Sequence, residues 1–451
     1  MNLHRMLRMR AEDGRPVRVG LIGAGKFGTM YLSQAARTPG IHLMAIADLD
    51  PGRARAACAR VGGYDTSAAT FETARCGGTT HVTDDSMALV AADGIDVVID
   101  ATGSPAAGIA HALAAIENGK HIVMVNVEAD VLAGPLLAER ARRAGVVYSM
   151  AYGDQPALIA EQVDWARAAG LEVIAAGKGT KYLDGYHHVT PDDVWQHYGL
   201  TPEDAAAGGM NPQMFNSFLD GTKSAIEMAA VANATGLPPA PTGLAFPPCG
   251  VHDLPHVMRP RTEGGSLHHK GQVEVISSEE RDGRHVTGDL RWGVYVVFEA
   301  PSDYVEACFR EYGLLTDRTG RYSALWKPYH LIGLELGISV ASAALRGEPT
   351  GQADGFRGDA VATAKRDLKA GERLDGEGGY TVYGRLMPAA DSLAVGGLPI
   401  GLAHNVTLKR DIACDRPVTW ADVDIVGDSQ AVRIRREMET MFAPGLKRAA
   451  E

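Results

Sequence analysis

Cysteine is scarce in this chain: five in 451 residues, at positions 58, 76, 249, 308 and 414. An odd number with no C-x-x-C pair speaks against a disulfide framework and fits a reducing, cytoplasmic location. No apolar run reaches membrane-spanning length, and the N-terminus is polar and Arg-rich without a signal-peptide core, so neither membrane nor export is expected. A basic stripe is also missing. The net charge is -11, from 44 basic and 55 acidic residues spread along the chain, which argues against a nucleic-acid partner. There is no repeat of solenoid length. What remains is a globular composition, 45% hydrophobic, in a chain long enough for two or three domains.

The strongest signal is Val17-Arg18-Val19-Gly20-Leu21-Ile22-Gly23-Ala24-Gly25-Lys26-Phe27-Gly28. A strand-like run breaks into G-x-G-x-x-G and a helical pattern follows. Gly23 permits the tight turn, Gly25 lets backbone approach a pyrophosphate, and Gly28 allows helix to pack closely on strand. The helix N-terminus, with Lys26 and Phe27, then offers free N–H groups to phosphates. A second strand, Ile41–Ala47, ends in Asp48, placed to hydrogen-bond an adenosine ribose. Arg53 and Arg55 follow and could accept a 2′-phosphate. A carboxylate repels that phosphate, so Asp48 leans the reading to NAD, with NADP still open.

Residues 62–84 read as an insertion. The strand Asp96–Asp100 then leads into Ala101-Thr102-Gly103-Ser104-Pro105, at the sheet edge where doubly wound folds bind ligands. A helix over 106–118, a strand over 121–125, Asn126-Val127-Glu128 on the same edge, a helix over 131–144 and a strand over 146–149 complete a βα series. A short helix over 2–13 precedes it. Beyond Asp154-Gln155-Pro156 comes a mixed region to about residue 350. In it, strand 171–177 runs into a Gly/Thr loop carrying Lys178 and Lys181, and a helix starts at Lys327-Pro328-Tyr329-His330. From 351 short strand-like runs form a small β-rich part, and an amphipathic helix over 428–443 ends the pattern. The loops of the middle region are expected to close over the nicotinamide.

Hydride transfer at a carbonyl needs a cation or acid to hold the oxyanion and relay a proton. The catalytic candidates are Lys178, Lys181, Glu128, Lys327 and His330. Each has a plainer reading as a solvated, capping or packing residue. Lys327 and His330 could hold an anion at a positive helix end. Arg259, Arg261 and Lys270 cluster around Gly264-Gly265 as candidate phosphate ligands. Cys249-x-x-His252 with His256 has metal-like spacing, but Pro255 disfavours the helix that would align the histidines, so no metal site is expected.

The glycine loop, Ile99–Gly103 and Val125–Glu128 resemble the N-terminal domain of homoserine dehydrogenases. A closer resemblance is to 1-deoxy-D-xylulose 5-phosphate reductoisomerase-like (DRL) oxidoreductases. It is carried by Ala151–Pro156, Gly177–Thr180, Asp289–Val294 and Lys327–Glu335. Ala364–Glu372 with Lys409–Ala413 resembles a SAF domain, a small β-clip-like module. The resemblance implies NADPH-dependent reduction of an aldehyde formed by rearrangement of 1-deoxyxylulose 5-phosphate, yielding 2-C-methylerythritol 4-phosphate. Homoserine dehydrogenases carry a lysine where Asn126-Val127-Glu128 stands, and the acidic metal motif of established reductoisomerases is not found.

The expected architecture is α/β: a Rossmann doubly wound sheet over 1–155, an α+β catalytic domain over 156–350, and a SAF-like β-rich domain with a terminal helix over 351–451. The expected activity is NAD(P)-dependent oxidoreduction of a small polyhydroxylated, phosphorylated carbonyl compound. The alternatives are a sugar-acid or semialdehyde dehydrogenase without rearrangement, or a non-catalytic dinucleotide- or carbohydrate-binding protein. A homo-oligomer is expected.

Overall fold

The computed structural model describes residues 2–425 and 429–449. Its chain forms two compact units, each built from discontinuous segments. The first comprises Met1–Leu158, His330–Asp354 and Arg433–Met438; the second comprises Ile159–Tyr329, Gly355–Val432 and Glu439–Glu451.

The first unit is a six-stranded sheet in the order β3-β2-β1-β4-β5-β6. The strands are β1 Val17–Ile22, β2 Ile41–Ala47, β3 His81–Thr83, β4 Val97–Asp100, β5 His121–Met124 and β6 Tyr148–Met150. Every pairing is parallel. This is the doubly wound Rossmann order, with its direction reversing between β1 and β4, so the crevice for a ligand lies beyond the carboxyl ends of those two strands. Residues 62–84 are not an insertion. They hold the short helix Phe71–Gly77 and the edge strand β3, too brief to leave a hydrophobic period in the sequence.

Helix Leu3–Glu12 buries Leu3 and Leu7 in the same core as Leu336, Val340 and Ala341. The last two belong to helix Gly337–Arg346, which packs on the sheet. That helix does not begin at Lys327. Residues Tyr322–Lys327 are strand instead, because all six pair antiparallel with a neighbouring strand. Gly333 then adopts φ +79, a left-handed conformation that a helix running on from Pro328 could not contain.

The second unit is centred on a four-stranded sheet in the order β10-β9-β7-β8. These strands are β7 Glu172–Thr180, β8 Gln272–Ser277, β9 Val294–Glu299 and β10 Tyr322–Lys327. Helix Thr222–Thr235, buried along nearly its whole length, packs on β7 and β8 and also on the antiparallel pair β11 Gly358–Ala364 and β13 Val382–Pro388. A small sheet of β12 Arg373–Asp375, β14 His404–Leu408 and β15 Val423–Asp424 accounts for the β-rich texture after 351. The final helix is Gln430–Ala449; residue 428, where the sequence reading started it, lies outside the described residues.

Glycines misled the sequence reading at β7. Gly177 looks like the strand's end and Gly179 like a loop residue, yet both lie within the strand. A Cβ on Gly177 would stand 1.7 Å from the Glu274 carbonyl oxygen, and one on Gly179 2.0 Å from that of Leu290. Close backbone approach, not a turn, demands them. Lys178 therefore lies inside the sheet.

Candidate functional site

The first unit holds the dinucleotide fingerprint in working geometry. Gly23 leaves β1 at φ +100, where an added Cβ would meet the Ala101 carbonyl oxygen at 2.7 Å. Gly28, in the first turn of helix Lys26–Ala35, has the Gly23 carbonyl oxygen 2.1 Å from where its Cβ would be. Gly25 differs: a Cβ there meets nothing within 4 Å. It precedes the helix without any side-chain cap, so the first-turn N–H groups at Lys26, Phe27 and Gly28 are left for another acceptor. Open space over Gly25 and uncapped donors beneath it fit a pyrophosphate.

Asp48 is buried at the end of β2. Its Oδ2 accepts from the Ala24 amide at 2.8 Å, and its Oδ1 from the Asp50 amide at 2.9 Å and from Arg53 Nε at 3.1 Å. Burial raises its pKa, but the Asp50 amide, Arg53 and the Ala24 amide together outweigh burial and hold the carboxyl below its usual range. Arg53 is itself more than half exposed, at 56%, so it can leave Asp48 for a ligand. Arg53→Ala is expected to weaken NADPH binding about tenfold while changing NADH little, since the uncompensated Asp48 would face the 2′-phosphate. Fluorescence titration with both cofactors checks this.

The ends of β4 and β5 are joined by a network that the sequence reading overlooked. Asp100, wholly buried, accepts from the Thr102 amide at 3.1 Å and the Thr102 hydroxyl at 2.8 Å. Its other oxygen meets His111 Nδ1 at 2.5 Å, and His111 Nε2 lies 2.8 Å from Ser86 Oγ. Asn126 caps helix Val127–Ala144 by accepting from the Ala129 amide, and its Nδ2 donates to the Ser104 carbonyl at 2.8 Å. Thr102, Gly103 and Asn126 are thus brought together. Glu128 stands in the first turn of the same helix, half-buried. The available signal was a lone apolar-face histidine, His111, six residues into the helix after Pro105.

The same unit lays residues after His330 over the glycine-loop helix. A Cβ on Gly333 would stand 2.7 Å from the Phe27 carbonyl oxygen, and one on Gly153 2.7 Å from that of Leu331. His330 opens this stretch and is half-buried. The anion site imagined for Lys327 and His330 at a helix end does not exist, because no helix starts there. Lys327 ends β10, with its ammonium 5.5 Å from the Tyr329 ring centre.

In the second unit most of the expected cations are matched to carboxylates. Lys178 and Glu227, both nearly excluded from solvent, form an ion pair between β7 and helix Thr222–Thr235. Lys181 binds Glu279 at 3.0 Å and the His197 carbonyl at 2.6 Å. Arg259 pairs with buried Asp317 at 2.8 Å, and Lys270 with buried Glu299 at 2.6 Å. Arg261 is exposed and donates to the Ser266 carbonyl. Among the described residues, Cys249, His252 and His256 form no metal-ligand group.

Glu274 in β8 is buried; burial pushes its pKa up to about 7, although the amides of Val275, Ala245 and Phe246 donate to it and the Arg261 charge favours its ionised form. A carboxyl whose folded pKa is raised stabilises the fold below its unfolded pKa, and that contribution is lost as pH rises to the folded value. The Glu274 contribution to stability should therefore fall by about 3 kcal/mol between pH 4.5 and 7, the former being the group's ordinary value. Asp130, raised to about 6 by burial, acts in the same direction. Half-buried His42, His121, His187 and His197, whose pKa values burial lowers, act in the opposite direction. Urea unfolding of the wild type and of Glu274→Gln across that range should therefore show the Glu274 contribution as the difference between the two.

Two stretches of the chain are similar to known families. Residues 17–152 match the family described as oxidoreductase family, NAD-binding Rossmann fold, and residues 153–336 match that of oxidoreductase DRL, catalytic domain. The 1-deoxy-D-xylulose 5-phosphate reductoisomerase of Heliobacterium modesticaldum is 34% identical over 106 residues, 23% of this chain and 27% of that enzyme. The chain thus spans about a quarter of that relative's length. Among solved structures, an NAD binding oxidoreductase from Klebsiella pneumoniae is 24% identical, covering 38% of this chain and 44% of that one, with a TM-score of 0.28. Myo-inositol dehydrogenase from Lactobacillus casei is 18% identical, covering 40% and 50%, with a TM-score of 0.28. At those scores the fold rests on the strand order and the glycine geometry. No described helix is long and apolar enough to cross a membrane. The chain thus joins an NAD-binding Rossmann unit in working geometry to a stretch that matches an oxidoreductase catalytic domain.

Proposed function

We propose that this enzyme reduces or oxidises a small, phosphorylated, polyhydroxylated carbonyl compound, and that its specific activity is that of a 1-deoxy-D-xylulose 5-phosphate reductoisomerase-like enzyme. The observation that carries the reading is the pair of adjoining matches, with the DRL catalytic model beginning at residue 153, directly after the Rossmann match. The 34% identical stretch shared with a reductoisomerase favours the finer assignment.

In this reading the cofactor is held by Gly23, Gly25, Lys26, Phe27, Gly28, Asp48, Arg53, Thr102, Gly103 and Asn126. When bound it supplies or takes the hydride. The amides after Gly25 neutralise its pyrophosphate, and Asp48 and Arg53 meet the adenosine ribose or its phosphate. Of the catalytic candidates, Glu128 and His330 are the proposed proton-handling groups, because both belong to the cofactor unit and both remain half-buried. Lys181 and Lys327 are proposed to bind anionic parts of the substrate, with Arg261 as the exposed phosphate contact. Lys178, Arg259 and Lys270 are proposed as structural. Three functional regions, 1–155, 156–350 and the SAF-like 351–451, and a homo-oligomeric assembly complete the proposal.

The test follows NAD(P)H absorbance against 1-deoxyxylulose 5-phosphate, other ketose phosphates, aldonates and homoserine. Turnover with 1-deoxyxylulose 5-phosphate, yielding a branched tetrol phosphate by mass spectrometry, supports the finer reading. Turnover of an aldonate or semialdehyde without rearrangement replaces it with plain dehydrogenation.

A further inference from the structure

Outside the cofactor unit, one group of side chains is arranged as metal ligands and is used by nothing described above. His188 ends the short turn Tyr186–His188, and Cys414 and Asp415 follow β14. Segments more than 200 residues apart in sequence thus bring together an imidazole, a thiol and a carboxylate, each offering a ligand atom within 4.8 Å of the others. We propose that His188, Cys414 and Asp415 form a binding site for a divalent transition metal of the zinc class.

The imidazole is oriented for it. His188 Nδ1 lies 2.7 Å from the Lys365 carbonyl oxygen, which can only accept, so Nδ1 donates there and Nε2 is the nitrogen left for a ligand; the Cys414 thiol, 3.9 Å from Nδ1, donates to the same carbonyl at 3.3 Å and turns from it to join Nε2. A backbone carbonyl fixing the remote nitrogen is the usual support of a metal-bound histidine. Nε2 then faces Asp415 Oδ1 at 3.7 Å. A cation can bridge two atoms at that separation. Tetrahedral zinc with N and O ligands at ordinary bond lengths separates them by about 3.4 Å, so only a small closure is required.

The loop carrying the other two ligands is pinned. Asp415 holds φ +61, uncommon for a residue with a side chain, and its amide donates to the Ala364 carbonyl at 2.9 Å. Tyr383 donates its hydroxyl to Asp415 Oδ1 at 3.2 Å, and the Cys414 amide donates to Asp367 at 2.9 Å. Among the described residues, His188 is the one ion-pair partner of Asp415, so no lysine or arginine competes for the carboxylate. The mixed N, S and O set excludes magnesium and calcium, which take oxygen ligands, and suits zinc or cobalt. All three side chains are exposed, leaving a fourth coordination position toward solvent.

Cobalt(II) makes the site visible, because a cysteine thiolate on cobalt gives a charge-transfer absorption in the near ultraviolet. Titrating the reduced full-length protein with cobalt chloride should develop this band to one equivalent, and zinc should abolish it. Cys414→Ser should remove the band, while His188→Ala and Asp415→Asn should each weaken cobalt binding at least about tenfold. The ligands are exposed, so the variants should keep the wild-type far-ultraviolet circular dichroism. Absence of the band from the wild type, or its survival in Cys414→Ser, overturns the assignment.

Discussion

Lys178→Ala should lower the stability of the protein by about 3–5 kcal/mol, because it leaves Glu227 buried and unpaired in helix Thr222–Thr235. Its partner sits between the four-stranded sheet and the β11/β13 pair, where water cannot replace the lost ammonium. The expected result is a lower denaturant midpoint, with turnover per folded molecule little changed. Removing both charges separates a structural pair from a catalytic lysine. Lys178→Met with Glu227→Leu fills similar volume with apolar groups and should recover most of the stability, as replacements of buried ion pairs often do. A normal midpoint combined with collapsed turnover in Lys178→Ala would instead return Lys178 to the chemistry.

Gly28→Ala and Gly25→Ala should both weaken cofactor binding, by about a hundredfold or more, equivalent to about 2.7 kcal/mol, but for opposite reasons. At Gly28 the new methyl would stand 2.1 Å from the Gly23 carbonyl oxygen. Backbone cannot rotate away as a side chain can, so the phosphate loop must move off β1, and thermal stability should fall with affinity. At Gly25 the methyl meets no atom of the protein, and φ -72 with ψ -161 suits alanine. That variant should melt like the wild type and still bind poorly, because the methyl occupies the space a pyrophosphate needs. Calorimetric titration with NADH and NADPH, beside thermal melts, distinguishes the two. Unchanged affinity in Gly25→Ala would mean that the phosphates do not approach this loop.

The cofactor half was legible because its chemistry is local. Gly23, Gly25, Gly28 and Asp48 lie within 26 consecutive residues, and their roles follow from backbone rules that hold in any context. The second unit was less legible because its decisive contacts are long-range. Gly177 reads as a strand end and Gly179 as loop punctuation until the backbones of residues 274 and 290 are seen against them. Lys178 read as a reaching ammonium because Glu227, 49 positions away, carries no mark in the sequence. Pro328 read as a helix start, which proline also favours, but six ladder pairs with β9 override that local preference. His188 and Cys414 were invisible as a pair for the same reason.

The return of residues 330–354 to the cofactor unit bears on how that unit can be obtained and on when it matures. A fragment ending at residue 158 would contain every strand of the parallel sheet and the entire glycine loop. It would still lack Leu336, Val340 and Ala341, leaving apolar side chains such as Leu3 and Leu7 without part of their cover. On the ribosome, too, the sheet emerges long before the helix Gly337–Arg346 that seals it. The nascent nucleotide fold must wait, partly bare, through the synthesis of most of the second unit, an interval in which sticky surface invites misassembly. A useful minimal cofactor domain would therefore be a spliced one, with 330–354 joined behind residue 158.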